Sequence, residues 1–242
     1  MRVTRNFGQF LAGLFAALSA TAAIGQSDLP APPKTLKAEE TAIILVDFQA
    51  NFVNPDGAWY GRFKPIYDKT RMLERVVEMV KAARAKGVWV IHVTEGYSQD
   101  YRELDWTNPG GFHRNQIARK AWKIGSKEAA YYAPLQPGAN DRDLFLAPRT
   151  QVSGFGGTGL NEILRAKGIR NVAVGGFTTD VCVYATVLSA YDFGYRVYAL
   201  REAMLGFYPE MSEQMLTNVY PFWSYVVGND EWLKMVEPAK GP

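Results

Sequence analysis

From Thr41 onward, short apolar runs alternate with segments whose apolar residues recur every three or four positions. Residues 42–46 (AIILV) form a continuous apolar run, the pattern of a strand buried on both faces. Residues 68–86 follow with Met72, Val76, Val80 and Ala83 on one side and charge on the other, which predicts a helix stopped at Gly87. Residues 88–93 (VWVIHV) predict a second strand and residues 144–146 a third. A helix over 158–167 ends at Gly168, and a strand over 171–174 runs into Gly175 and Gly176. A helix over 179–193 ends at Gly194, followed by strands over 195–200 and 223–227 with a helix over 210–218 between them. Such alternation implies right-handed β-α-β units. The predicted fold is one α/β domain, Rossmann-like and doubly wound, with a mostly parallel sheet and helices on both faces. Residues 98–140 are too long and irregular for a plain connection and predict a functional excursion or lid.

The first 40 residues follow a different pattern. Residues 1–25 open with Arg2 and Arg5, continue as an uncharged run of small and apolar residues, and offer small-residue cleavage patterns at 20–22 and 23–25. That is the layout of a signal peptide, so the expected location is periplasmic or secreted. The apolar run is shorter than the roughly 20 residues a membrane-spanning helix needs, so no stable anchor is expected once the signal is cleaved; a retained membrane anchor is the alternative. Residues 26–40, with Pro30, Pro32 and Pro33, predict an extended linker, placing the domain at 41–242.

Composition then narrows the chemistry. The chain of 242 residues is 48% hydrophobic, which excludes a disordered protein, and its net charge of +3 is too small for a nucleic-acid binder. One cysteine excludes an internal disulfide and a cysteine-built zinc site, and two histidines, His92 and His113, make a histidine metal centre equally ill-suited. No metal and no cofactor are expected.

In an open parallel sheet, ligands bind beyond the carboxyl ends of the strands. Four reactive side chains fall there: Asp47 after the first strand, Glu95 after the second, Arg149 after the third and Cys182 after the fourth. Cys182 lies in the first turns of a helix, where free amides and the helix dipole favour a thiolate and can hold an oxyanion. A small buried cysteine packing helix on sheet is an equal alternative. Asp47, ending a buried strand, suits a proton acceptor, or else a turn cap.

Three segments carry a resemblance. Asp47-Phe48-Gln49 with Phe52, then Ser153-Gly154-Phe155 with Thr158 and Leu160, then residues 176–183 (GFTTDVCV) resemble the isochorismatase-like cysteine hydrolases. The match runs from about Thr41 to Val227. The resemblance implies an Asp-Lys-Cys triad in which Asp47 is the general base and Cys182 the nucleophile. It also implies a cis peptide between Phe177 and Thr178, and an oxyanion hole from the amides of Thr178 and Cys182. The family lysine position is occupied by Arg149, which keeps the charge but does not release a proton. Residues 111–115 (GFHRN) and the Ser-Gly-Phe form resemble the ureidoacrylate amidohydrolase and biuret hydrolase side of the family. No Asp-x-His pair follows the second strand, so the nicotinamidase metal site is not expected. Where the ureidoacrylate enzymes have a substrate-contacting Asn, this chain has Glu95, whose buried carboxylate would need Arg149 or a cationic substrate as partner.

The expected activity is hydrolysis of a C–N bond in a small amide or ureido substrate through a thiol acyl-enzyme. Gln49, Phe52, Glu95 and Tyr97 are the expected substrate contacts; His113 is a further candidate, with packing inside the excursion the favoured alternative for it, and Trp59, Tyr60, Trp106 and Trp122 are candidates for an apolar wall. The resemblance also implies a homo-oligomer. Two alternatives stay open: a vinyl-ether hydrolase with no covalent intermediate, and a binder silenced by Arg149.

Overall fold

A computed structural model describes residues 33–138 and 142–239. The chain divides into two units, 1–32 and 33–242; the predicted signal peptide and the first part of the predicted linker lie outside the described residues. In chain order the strands are β1 (Leu36–Lys37), β2 (Thr41–Val46), β3 (Trp89–Val93), β4 (Asp143–Phe145), β5 (Asn171–Phe177), β6 (Arg196–Leu205), β7 (Tyr225–Val227) and β8 (Val236–Glu237). The α-helices are α1 (Ala50–Val53), α2 (Tyr60–Thr70), α3 (Met72–Ala85), α4 (Gly111–Arg119), α5 (Leu160–Ala166), α6 (Cys182–Asp192), α7 (Pro209–Asn218) and α8 (Asn229–Met235).

Six strands form one sheet in the order β4-β3-β2-β5-β6-β7, every pair parallel. The chain therefore winds outward from β2 in one direction, returns, and winds outward from β5 in the other. The reversal falls between β2 and β5, where Val46 pairs with Gly176, and that is where a doubly wound sheet opens a crevice. Alternate residues of β2 feed two cores: Ile43 and Leu45 pack with α3 and α8 side chains, and Ala42, Ile44 and Val46 with those of α5 and α6. Both faces are covered, which is why β2 reads as an unbroken apolar run. Gly176 makes the close approach at the switch point. A Cβ there would lie 2.0 Å from the Val46 carbonyl oxygen, and its φ of +139° suits glycine alone.

Three sequence readings are corrected. The helix expected over 68–86 is two helices, α2 and α3, separated at Arg71, which adopts a left-handed φ of 52°. The apolar spacing continues across the break, so periodicity does not mark it. The fold also begins before Thr41, because β1 pairs with β8 and Leu36 is buried, so the end of the predicted linker belongs to the domain. Finally, the excursion over 98–140 contains a regular element, α4. Among the described residues, no helix is long and apolar enough to cross a membrane.

Candidate active site

The parallel sheet delivers its strand ends to one edge, and four side chains meet there. Asp47 follows β2 with a left-handed φ of 57°, a conformation Asp tolerates better than most residues. Arg149 follows β4 and is tied in extended pairing beside Glu95: its amide donates to the Thr94 carbonyl at 2.9 Å, and its carbonyl accepts from Gly96 at 3.0 Å. Cys182 is the first residue of α6. Carboxylate oxygens of Asp47 and Glu95 and the Cys182 sulfur all lie within 4.8 Å of one another, and all three residues are buried.

Asp47 and Arg149 form a forked pair. Nη1 donates to Oδ1 at 2.7 Å and Nη2 to Oδ2 at 2.9 Å, while Nε and Nη2 also donate to the carbonyls of Ser153 and Val152. Both side chains are essentially inaccessible, so each charge depends on the other. Burial opposes the guanidinium charge, but Asp47 outweighs it and holds Arg149 fully protonated. Arg149 is thus an interior cation and not the surface residue its place beside a turn would allow.

Burial also pushes the Cys182 thiol well above the ordinary range, Asp47 adds to this, and Arg149 opposes it only in part. The helix-terminus argument alone predicts the opposite direction. Desolvation wins because the sulfur is enclosed, so the resting group is a thiol that needs a proton acceptor. A carboxylate oxygen of Asp47 lies within 4.8 Å of the sulfur.

Next to the sulfur, Phe177 and Thr178 are joined by a cis peptide bond. The Thr178 carbonyl accepts from the amides of Val181 and Val183, both at 3.1 Å. The amides of Thr178 and Cys182 have no acceptor among the described residues. Two free N–H groups beside a nucleophilic atom are the requirement for holding an oxyanion.

The sulfur opens onto a narrow cleft of about 40 Å³. Phe52, Trp59, Phe112 and Phe207 wall it, and Glu95, Asn115, Gln116 and Thr178 supply polar groups. Phe52 is held from behind by stacking on Phe177 at 4.8 Å and by Trp122 at 5.0 Å. The 98–140 excursion therefore contributes a wall through α4.

The other expected contacts are placed differently. Gln49 exchanges two 2.9 Å hydrogen bonds with the backbone of Glu95 and donates to Ala129, so its amide is committed to bracing Glu95. Tyr97 stands behind Glu95, donating to Oε1 at 2.5 Å. His113 does not line the cleft: it packs against Tyr97 and lies 3.3 Å from the Thr150 carbonyl. Of the aromatic wall candidates, Trp59 lines the cleft, Trp122 supports it and Trp106 is exposed. Phe207, just past β6, escaped sequence reasoning because nothing local in its segment marks it.

Glu95 is likewise corrected. Its buried carboxyl is partnered by the Tyr97 hydroxyl, while the Arg149 fork faces Asp47. Burial and the nearby Asp47 charge push its pKa up to about 8. The folded protein therefore holds this proton more tightly than the unfolded chain, and stability should fall as pH rises from about 4.5 toward 8. We expect the midpoint of thermal unfolding to drop by about 5 °C across that window, and Glu95→Gln to flatten the slope. Differential scanning fluorimetry across pH checks this; parallel slopes for the two proteins would contradict it.

Asp47, Glu95 and Cys182 are also the donor set a metal ion would meet here. They fit one poorly, because Arg149 already occupies both Asp47 oxygens and places a fixed positive charge beside them.

A doubly wound α/β sheet with a thiol, two carboxyls and a guanidinium gathered at its switch point has the organisation of a small-molecule hydrolase. The isochorismatase domain matches residues 41–231, and the chain belongs to that family of hydrolases. It is 29% identical over 224 residues to ureidoacrylate amidohydrolase RutB of Agrobacterium fabrum, covering 87% of this chain and 97% of the relative. It is 30% identical over 211 residues to the enzyme of that name from Azorhizobium caulinodans, covering 82% and 92%. A cysteine hydrolase crystal structure from Pseudomonas syringae pv. phaseolicola superposes with a TM-score of 0.71 at 23% identity, covering 86% and 97%, and shares the fold.

Proposed function

We propose that this protein hydrolyses a C–N bond of a small amide or ureido compound through an acyl-enzyme on Cys182. The observation that carries the reading is the buried thiol at the base of the cleft, within 4.8 Å of two carboxyl groups. Two unengaged amides beside it add to that. A substrate carbonyl enters between the amides of Thr178 and Cys182. Asp47 takes the thiol proton, sulfur bonds to the carbonyl carbon, and the charge on oxygen is held by the two N–H groups. The amine leaves, and water then cleaves the thioester. The relatives called ureidoacrylate amidohydrolase support the amide or ureido class. Export through residues 1–25 belongs to the same proposal and is tested by sequencing the mature N-terminus.

A silent binder is the second reading, favoured by the Arg149 fork occupying both Asp47 oxygens. One experiment separates them. The protein is incubated with ureidoacrylate, biuret, N-carbamoylsarcosine and simple primary amides while ammonia release is followed, and acid-quenched samples are weighed by mass spectrometry. Ammonia release with an acyl mass on the Cys182 peptide supports the hydrolase. Binding of a panel compound without any release would establish the binder instead.

A further inference from the structure

Two carboxyl groups stand beside Cys182, and the geometry gives them unequal abilities. Both oxygens of Asp47 are gripped by a guanidinium that never gives up its proton. With both oxygens facing the fork, Asp47 is placed to keep the thiol proton beside the sulfur and to return it there, not to carry it to the leaving group. Glu95 is arranged otherwise. Tyr97 donates to Oε1 from behind, Oε2 has no protein partner among the described residues, and the residue lines the cleft. Gln49 clamps its backbone on both sides, which fixes where the carboxyl sits. The charged and titratable groups facing it are Asp47 from the end of β2, Arg149 from the segment after β4, and Cys182 from α6. Tyr97 and Tyr101 face it from its own segment.

We infer that Glu95 is the catalytic acid that protonates the departing nitrogen, so that Asp47 serves the sulfur and Glu95 serves the leaving group and the water. The inference rests on the amide-hydrolase reading and adds the route of the second proton. Before reaction the site holds Cys182 as thiol, Asp47 as carboxylate and Glu95 as carboxylic acid. The thiol proton passes to Asp47 as the C–S bond forms. The C–N bond breaks as nitrogen takes the Glu95 proton, and the amine leaves. Glu95, now a carboxylate, takes a proton from water as its hydroxide bonds to the thioester carbon. The C–S bond then breaks, and sulfur recovers its proton from Asp47. The sum is one amide and one water giving one acid and one amine, with every side chain restored.

The test uses Glu95→Gln, which keeps the shape and an acceptor for the Tyr97 hydroxyl but has no proton to give. Two probes are compared on the full chain: p-nitrophenyl acetate, whose leaving group departs unprotonated, and the best amide of the panel above. Glu95→Gln should keep a burst of p-nitrophenolate within about threefold of the wild-type rate. It should lose about 100-fold or more in amide kcat/KM. The wild-type amide profile should fall above about pH 8, as Glu95 loses its proton, while the ester burst shows no such fall. Glu95→Asp, one methylene shorter, should recover part of the amide rate together with the alkaline fall. Amide turnover by Glu95→Gln within threefold of wild type would overturn the inference. So would equal loss of the ester burst, which would make Glu95 a positioning residue for the thiol, or an amide profile flat to pH 9.5. Ammonia release by the wild type with no acyl mass on the Cys182 peptide would instead fail the acyl-enzyme reading, so the two failures are distinct.

Discussion

Replacing Cys182 with alanine is expected to lower amide turnover by about 10⁴-fold or more and to remove the acyl mass from acid-quenched samples. The size follows from the role. Without the sulfur there is no atom to form the covalent intermediate, and the two free amides and the cleft supply only binding. The fold should survive, because the change removes one buried sulfur atom from the first turn of α6 and leaves the Asp47–Arg149 fork intact. Panel compounds should therefore still bind, and the unfolding midpoint should move by only a few degrees. Calorimetric titration beside the rate measurement separates loss of chemistry from loss of structure. Turnover by Cys182→Ala above about 1% of wild type would exclude the thiol as nucleophile.

Asp47→Asn should be costly in two ways at once. It leaves the Arg149 guanidinium buried without a counter-charge, which costs about 3–5 kcal/mol of stability. It also removes the acceptor for a thiol proton that burial holds in place, so amide turnover should fall by about 10³-fold. The double variant Asp47→Asn/Arg149→Met distinguishes these effects. Removing both charges should recover much of the stability, because an apolar side chain tolerates that interior where a lone guanidinium does not, while activity stays lost. Denaturant unfolding and turnover of the four proteins complete the cycle. A single variant as stable as wild type would mean that the fork contributes nothing net, and a double variant regaining activity would remove Asp47 from the chemistry.

The candidate site was readable because strand ends in a parallel sheet point to one edge. Asp47, Glu95, Arg149 and Cys182 each follow an apolar run, and the topology rule gathers them without knowledge of any distance. The same locality explains what was missed. The break at Arg71 is a single backbone rotation inside a continuous apolar spacing, and β1 becomes a strand only because β8, some 200 residues later, lies beside it. Gln49 has the polar groups of a substrate contact, yet its partner is the backbone of Glu95, whereas His113 packs against Tyr97 and Thr150 as the favoured alternative has it.

Alternating apolar runs, glycine stops and the order of reactive residues are local or topological features, and the sequence by itself determined the doubly wound sheet and the four side chains at its edge. Their chemical states were decided only by tertiary structure. Whether Arg149 faces Asp47 or Glu95, whether Cys182 rests as thiol or thiolate, and whether Glu95 keeps its proton all depend on burial and on charges from other elements. Desolvation and Coulomb interactions act through space, and the chain brings those groups together only when β2, β3, β5 and α6 are packed.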